Sequence, residues 1–234
     1  MCILGNKDSN NFHCFLVFIK KRYLCHSKKD NAMLTYFIIG ATVVVSLLCF
    51  NRRDLINKLS FNAYAVVKRK EWYRFITHGF VHADMTHLFV NMFTFWSFGG
   101  FMETLFSNIG FGSWAFIGLY FGGMIFASLY DLIKHRNNIY YQSIGASGAV
   151  SAILFSSILF NPWGSILLFA IIPVPGIVFG VLYLLYCQYM AKNATDHINH
   201  NAHFYGALFG LLYPILLLPP LLSDFVEQLI HKFF

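Results

Sequence analysis

Helix-length apolar runs broken by short polar segments are the dominant pattern along this chain. Six occupy about 33–50, 85–106, 113–132, 143–160, 175–192 and 202–219. Each comes near the roughly 20 apolar residues that a membrane-crossing helix needs. Polar segments close them: Asn51-Arg52-Arg53-Asp54 after the first, Asn161-Pro162-Trp163-Gly164 after the fourth, and 131–138 around the end of the third. The pattern predicts an all-α polytopic membrane protein, a six-transmembrane-helix bundle with short loops and no sizeable soluble domain.

Four stretches depart from this pattern. Residues 1–32 hold one short apolar run followed by Lys20-Lys21-Arg22, the reverse of a secretory signal. They are expected to be a mobile or interfacial extension, and Met33 stands directly before the first span. The 51–83 connection is both basic and aromatic, a mixture that favours the headgroup region. Pro173-Val174-Pro175-Gly176 interrupts the run before the fifth span, because proline removes an amide and clashes with the preceding turn. Residues 165–172 are therefore expected at the bilayer edge or as a packed loop. The tail, 221–234, is too short to cross and reads as an amphipathic end. The expected division is extension 1–32, core 33–220 and tail 221–234.

Composition agrees. Of 234 residues, 57% are hydrophobic and 12% charged, with 27 Phe. Globular domains carry about 25% charge. The net charge of +7 is no nucleic-acid signal, since Lys and Arg sit between the apolar runs. The five cysteines form neither a Cys-x-x-Cys pair nor a disulfide framework. With six spans and an internal N-terminus, 10 Lys+Arg fall outside and 7 inside, which opposes the positive-inside rule.

Polar groups inside spans are costly and point to function. His87 and Asn91 lie four apart, on one face of the second span. Ser147 lies near the start of the fourth, within Gly145-Ala146-Ser147-Gly148. His203 opens the sixth, followed by Gly206 and Gly210, a small-xxx-small pattern that lets helix backbones approach closely. If the fourth and sixth spans pack through these faces, His203 comes within reach of Ser147. A neutral imidazole can then take the hydroxyl proton and make the serine a nucleophile. The oxyanion that follows needs fixed donors, and the Ser147 amide, His87 and Asn91 suit that role.

Each motif alone has a plainer reading. A span serine usually bonds its own backbone, and Gly-x-x-x-Gly or His/Asn pairs can simply join helices. Together the four polar groups would cost about 1–3 kcal/mol each to bury for no purpose. Zinc is not expected. The His82–His87 spacing does not fit the i, i+4 pair of a zinc helix, and His197, His200 and His203 extend into a polar loop without a closed ligand set. Asp131 has no carboxylate partner within the spans, which argues against an aspartyl mechanism.

The motifs, in order, resemble those of the rhomboid intramembrane serine proteases over about 33–220. Glu71-Trp72-Tyr73-Arg74 resembles the family's Trp-Arg motif, and His82-Ala83-Asp84-Met85-Thr86-His87-Leu88-Phe89-Val90-Asn91-Met92 its second-helix signature. Gly145-Ala146-Ser147-Gly148 matches GxSG, and Ala202-His203-Phe204-Tyr205-Gly206 the sixth-helix histidine motif. The resemblance implies a six-helix rhomboid-like bundle with a catalytic Ser147–His203 dyad and an oxyanion site from His87, Asn91 and the Ser147 amide. It implies that His82 steadies the first connection, that Arg74 and Glu103 pin that connection to span two, and that Gly145, Gly148, Gly206 and Gly210 support the site.

No cofactor and no metal is implied. The partners are the lipid bilayer and membrane protein substrates with a transmembrane segment, and nucleic acid is excluded. The expected location is the bacterial inner (plasma) membrane, as a multi-pass protein. The alternatives are a catalytically inactive rhomboid-like protein that binds membrane clients, and a small transporter or channel.

Overall fold

The computed structural model describes residues 32–168, 171–193, 196 and 198–231. The expectations for residues 1–31, and for His197, lie outside the described residues. Among the described residues, ten α-helices and one hairpin follow in order. They are α1 (Met33–Cys49), α2 (Arg53–Leu59), α3 (Ala63–Arg69), α4 (Arg74–Thr77), α5 (Met85–Asn108), α6 (Gly112–His135) and α7 (Ser147–Phe160). The hairpin of β1 (Ser165–Leu168) and β2 (Ile172–Pro175) leads to α8 (Gly176–Asn193), α9 (His200–Leu217) and α10 (Leu221–Ile230).

The centre of the bundle is α7. Every residue from Gly148 to Leu159 is buried, so apolar side chains surround the whole helix rather than one stripe. Against it pack α9, α6 and α5, with α8 resting on α9 and α1 on α5. Phe95, Phe116, Tyr120 and Ile153, all fully buried, join α5, α6 and α7 into the main core. On the outside the pattern reverses. Phe37 and Leu48 on α1, Phe89 and Trp96 on α5, and Leu182 and Leu185 on α8 are large, apolar and exposed. A water-soluble monomer rarely shows so extensive an apolar outer surface.

Only α6 is by itself long and apolar enough to cross a membrane among the described residues. The helices α9 and α10 pass the same test only when taken together, and they bend by 114° at the break between them. Two others, α1 and α7, are apolar but shorter, at 17 and 14 residues. The central α7 is short: its 14 residues span about 21 Å at 1.5 Å per residue. The helical bundle agrees with the expected all-α class but, by length and composition, not with a count of six spans, and two further corrections follow. It is not purely α, because β1 and β2 pair antiparallel, Ser165 with Pro175 and Leu168 with Ile172. The two prolines that cannot continue a helix stand at the edge of this ribbon. In addition, the fourth run forms helix only from Ser147, because residues 143–146 are engaged by the first connection.

That connection is a folded unit rather than a loop. Phe61, Ala63, Val66 and Phe75 form a small core, with Leu132 and Tyr141 packed on it. Arg74, buried, donates to Glu71 at 2.5 Å and to the Asn57 and Ser60 carbonyls at 2.9 and 2.6 Å. Trp72 and Tyr73 stay exposed.

The Arg74 guanidinium holds the Glu71 carboxyl below its ordinary value of 4.5. A depressed acid stabilises the folded state above its unfolded pKa and loses that contribution as pH falls through the folded value. Glu71→Gln is thus expected to lower the thermal midpoint by about 2–4 °C at neutral pH. The difference should shrink as pH is taken below 4.5, and an unchanged difference would contradict the pairing.

Candidate active site

The first connection holds the segment that leads into α7. Phe61 and Ser143 exchange two backbone hydrogen bonds, at 2.9 and 3.0 Å. Asn62 donates to the Ile139 and Tyr141 carbonyls, and the Gly145 amide donates to the His78 carbonyl at 3.0 Å. His82 completes the attachment. Ser46 spends its only proton on the Phe80 carbonyl, at 2.9 Å. The contact between Ser46 Oγ and His82 Nδ1 at 3.0 Å therefore needs the ring to donate from Nδ1. Nε2 is then free to accept from the Ala146 amide at 3.4 Å. Burial holds this ring neutral, with its pKa down at about 3. His82 thus links α1 to the residue just before Ser147.

Gly145 has φ +114°, a left-handed conformation that suits glycine, and an added Cβ would meet the His87 ring at 2.7 and 2.8 Å. Two constraints therefore require glycine here, and the second places the His87 imidazole directly over the turn into α7. His82 and His87 meet edge to face, 4.9 Å between centroids. Asn91, one turn further along α5, is buried and donates one amide hydrogen to the His87 carbonyl at 2.9 Å, leaving its second N–H available.

Ser147 is the first residue of α7 and is half-buried, in contrast to the buried body of the helix that follows it. No side chain caps this helix, so its first amides keep the unpaired donors that favour negative charge at a helix start.

The close contact between α7 and α9 fixes the other half of the site. A Cβ on Gly206 would strike the Gly148 backbone, and one on Gly210 the Ala152 backbone. Gly148 in turn lies against the Ala202 carbonyl. Ser147 precedes Gly148 and His203 follows Ala202, so both flank the point where the two backbones touch. His203 is half-buried. Its ring stacks on Tyr183 of α8 at 6.3 Å and 15°, and Tyr183 meets the Ser151 hydroxyl at 3.1 Å.

Asn199 caps α9, accepting from the Ala202 amide at 3.0 Å. Its amide nitrogen reaches Asp131, Ser143 and Tyr141 at 2.5, 3.1 and 3.2 Å. The start of α9 is thereby joined to α6 and to the segment before Ser147.

Two implied contacts do not form. Arg74 and Glu103 were expected to pin the first connection to span two. Arg74 is instead satisfied within the connection. Glu103, buried on α5, accepts from the Leu34 and Thr35 amides and the Thr35 hydroxyl at 2.8–2.9 Å. The first turn of a helix has unpaired amides, and Glu103 supplies the acceptors for those of α1. Sequence reading also missed Tyr183, His78, Asn199 and the use of Asp131. The available signal was their polarity within or beside apolar runs.

A third group gathers on the α8 side. Donor atoms of Cys187, His200 and His203 lie within 4.8 Å of one another, an assembly that chain spacing could not show.

Comparison with known proteins agrees with these motifs. Residues 69–220 match the family model described as the Rhomboid domain. RHOMBOID-like protein 12, mitochondrial, of Arabidopsis thaliana is 26% identical over 202 residues, 80% of this chain and 58% of that protein. Rhomboid protein 1, mitochondrial, of Saccharomyces cerevisiae is 33% identical over 59% of this chain and 40% of its own length. Rhomboid-like protein 11, chloroplastic, of Arabidopsis thaliana is 30% identical over 60% of this chain and 51% of its own. The chain thus spans about half the length of these relatives. Their names are all organellar, which overturns the expected bacterial inner membrane. With the family model covering 152 residues in the order of the motifs above, this chain belongs to the rhomboid family.

Proposed function

We propose that this chain is an intramembrane serine endopeptidase of an organellar membrane, cutting a peptide bond in or near the transmembrane segment of a membrane protein. The observation that supports this reading is the Gly148–Gly206 backbone contact: Ser147 adjoins Gly148 on α7, His203 is one turn before Gly206 on α9, and both are half-buried. Ser147 Oγ attacks the substrate carbonyl carbon while His203 takes the hydroxyl proton. His203 returns it to the leaving amine, and water then resolves the acyl-enzyme by the same route. The uncapped start of α7, His87 over Gly145 and the second amide hydrogen of Asn91 are the donors for the oxyanion.

Six helices, α1, α5, α6, α7, α8 and α9, cross the bilayer in this reading, with the apolar outer residues in lipid. The core is 33–220, flanked by the 1–32 extension and the 221–234 tail. The half-submerged first connection accommodates the unfavourable charge count. Because α7 is about 21 Å long in a hydrocarbon core of about 30 Å, Ser147 lies below the surface in this reading, and hydrolysis requires water to reach it there.

The test is reconstitution of the chain with a single-span reporter substrate and mass spectrometry of the products. Cleavage in or near the span supports the reading. Stable binding without cleavage would favour an inactive client-binding protein. His82→Ala removes the tie to the Ala146 amide without touching the dyad. It is expected to lower cleavage by about 100-fold, the loss that a small misplacement of a reacting group produces. Wild-type rates in that variant would remove His82 from the account.

A further inference from the structure

We infer that Cys187, His200 and His203 form a binding site for a zinc-type divalent cation. Cys187 is on α8 and the two histidines, three apart, share one face of α9, so the packing of α8 on α9 brings the three together. Their donor atoms lie within 4.8 Å of one another. Tetrahedral zinc with sulfur and nitrogen ligands places its donors roughly 3.3–3.8 Å apart, so closure asks for about 1 Å of side-chain movement.

A second observation points the same way. His200 is 2% exposed, and its Nδ1 is buried with no hydrogen-bond partner. Nε2 of the same ring faces the Asp196 carboxylate at 3.0 and 3.2 Å. A buried unpaired ring nitrogen is costly, and a histidine held by a carboxylate on one nitrogen and free on the other is the usual arrangement of a zinc ligand. One thiolate and two imidazoles suit zinc better than calcium or magnesium, which prefer oxygen. Cys187 and His200 are buried while His203 is half-buried, so the cation enters from the His203 side. Three protein donors leave a fourth position for water.

Zinc at this site engages the His203 lone pair that would accept the Ser147 proton. It therefore blocks hydrolysis reversibly. This consequence, unlike the binding itself, rests on the proposed protease reading.

The experiment titrates the purified full chain in nanodiscs with Co2+, a spectroscopic substitute for zinc, and then with Zn2+. One equivalent of Co2+ is expected to give a thiolate-to-metal charge-transfer band with the visible bands of tetrahedral cobalt, both bleached by Zn2+. Cys187→Ser, which keeps the volume, should lose the charge-transfer band. Asp196→Asn should weaken Zn2+ binding by about 10-fold or more. In the native chain Zn2+ should stop substrate cleavage, and EDTA should restore it.

Absence of the charge-transfer band in the native chain, or its survival in Cys187→Ser, overturns the site whatever the activity. A native chain that shows the band but cleaves no substrate at any metal level leaves the site standing and removes the protease reading. A chain that binds Co2+ through Cys187 and still cleaves at full rate with zinc bound overturns the inhibitory role.

Discussion

Ser147→Ala is expected to lower the rate of substrate cleavage by about 10⁴-fold or more, with a thermal midpoint within a degree or two of the native chain. The serine has no structural duty that would confuse the result. It sits half-buried at the open end of α7, the helix has no side-chain cap to lose, and the buried body begins only at Gly148. Alanine is also the better helix former. The hydroxyl oxygen is the atom that would bond to the substrate, so no other group can take its place, and the residual rate reflects binding and oxyanion donors alone. His203→Ala should show a similar loss, since members of one nucleophile–base unit are not additive. The double variant should be little worse than either single one. Independent, multiplying losses would show that the two do not act together.

Gly206→Leu is the substitution with the largest expected effect on folding. A Cβ at this position meets the carbonyl oxygen, carbonyl carbon and Cα of Gly148, and at Gly210 the corresponding atoms of Ala152. Backbone cannot rotate away as a side chain can, so α9 must lift from α7. Overpacking commonly costs 1–3 kcal/mol, and a backbone obstacle should place this variant at about 3 kcal/mol or more. Poor folded yield and lost cleavage should follow together. Gly40→Ala is the control: nothing lies within 4 Å of its added Cβ, and removing a helix glycine should stabilise by about 0.5–1 kcal/mol. Equal tolerance of both substitutions would contradict the close contact.

The helices and their packing faces were readable because they follow from local features. Apolar run length marked α1, α5, α6, α8 and α9 to within three residues at each boundary, and the Gly206/Gly210 spacing marked the face of α9 that meets α7. Polar residues in apolar runs marked His87, Asn91, Ser147 and His203 as unusual.

What escaped was set by contacts distant in sequence. The late start of α7 depends on Phe61 pairing with Ser143, 82 positions earlier. Glu103 looked like a partner for the first connection, but its acceptors go to the start of α1. The bond from Asn199 to Asp131 escaped because the two are 68 positions apart. Cys187 and His200 belong to different helices, and their approach depends on how α8 rests on α9. The hairpin was missed for a different reason. Proline and apolar residues in 165–175 forbid a straight helix, and they are equally compatible with a ribbon or a packed loop.

The most direct measurement is labelling of the reconstituted native chain with a serine-reactive fluorophosphonate, read by in-gel fluorescence and mass spectrometry of the modified peptide. A reactive hydroxyl activated by a neighbouring imidazole predicts a single adduct on Ser147, lost in both Ser147→Ala and His203→Ala while each variant remains folded. No adduct on a folded native chain, or an adduct that survives in His203→Ala, would contradict the claim that the contact between α7 and α9 makes a nucleophile of Ser147.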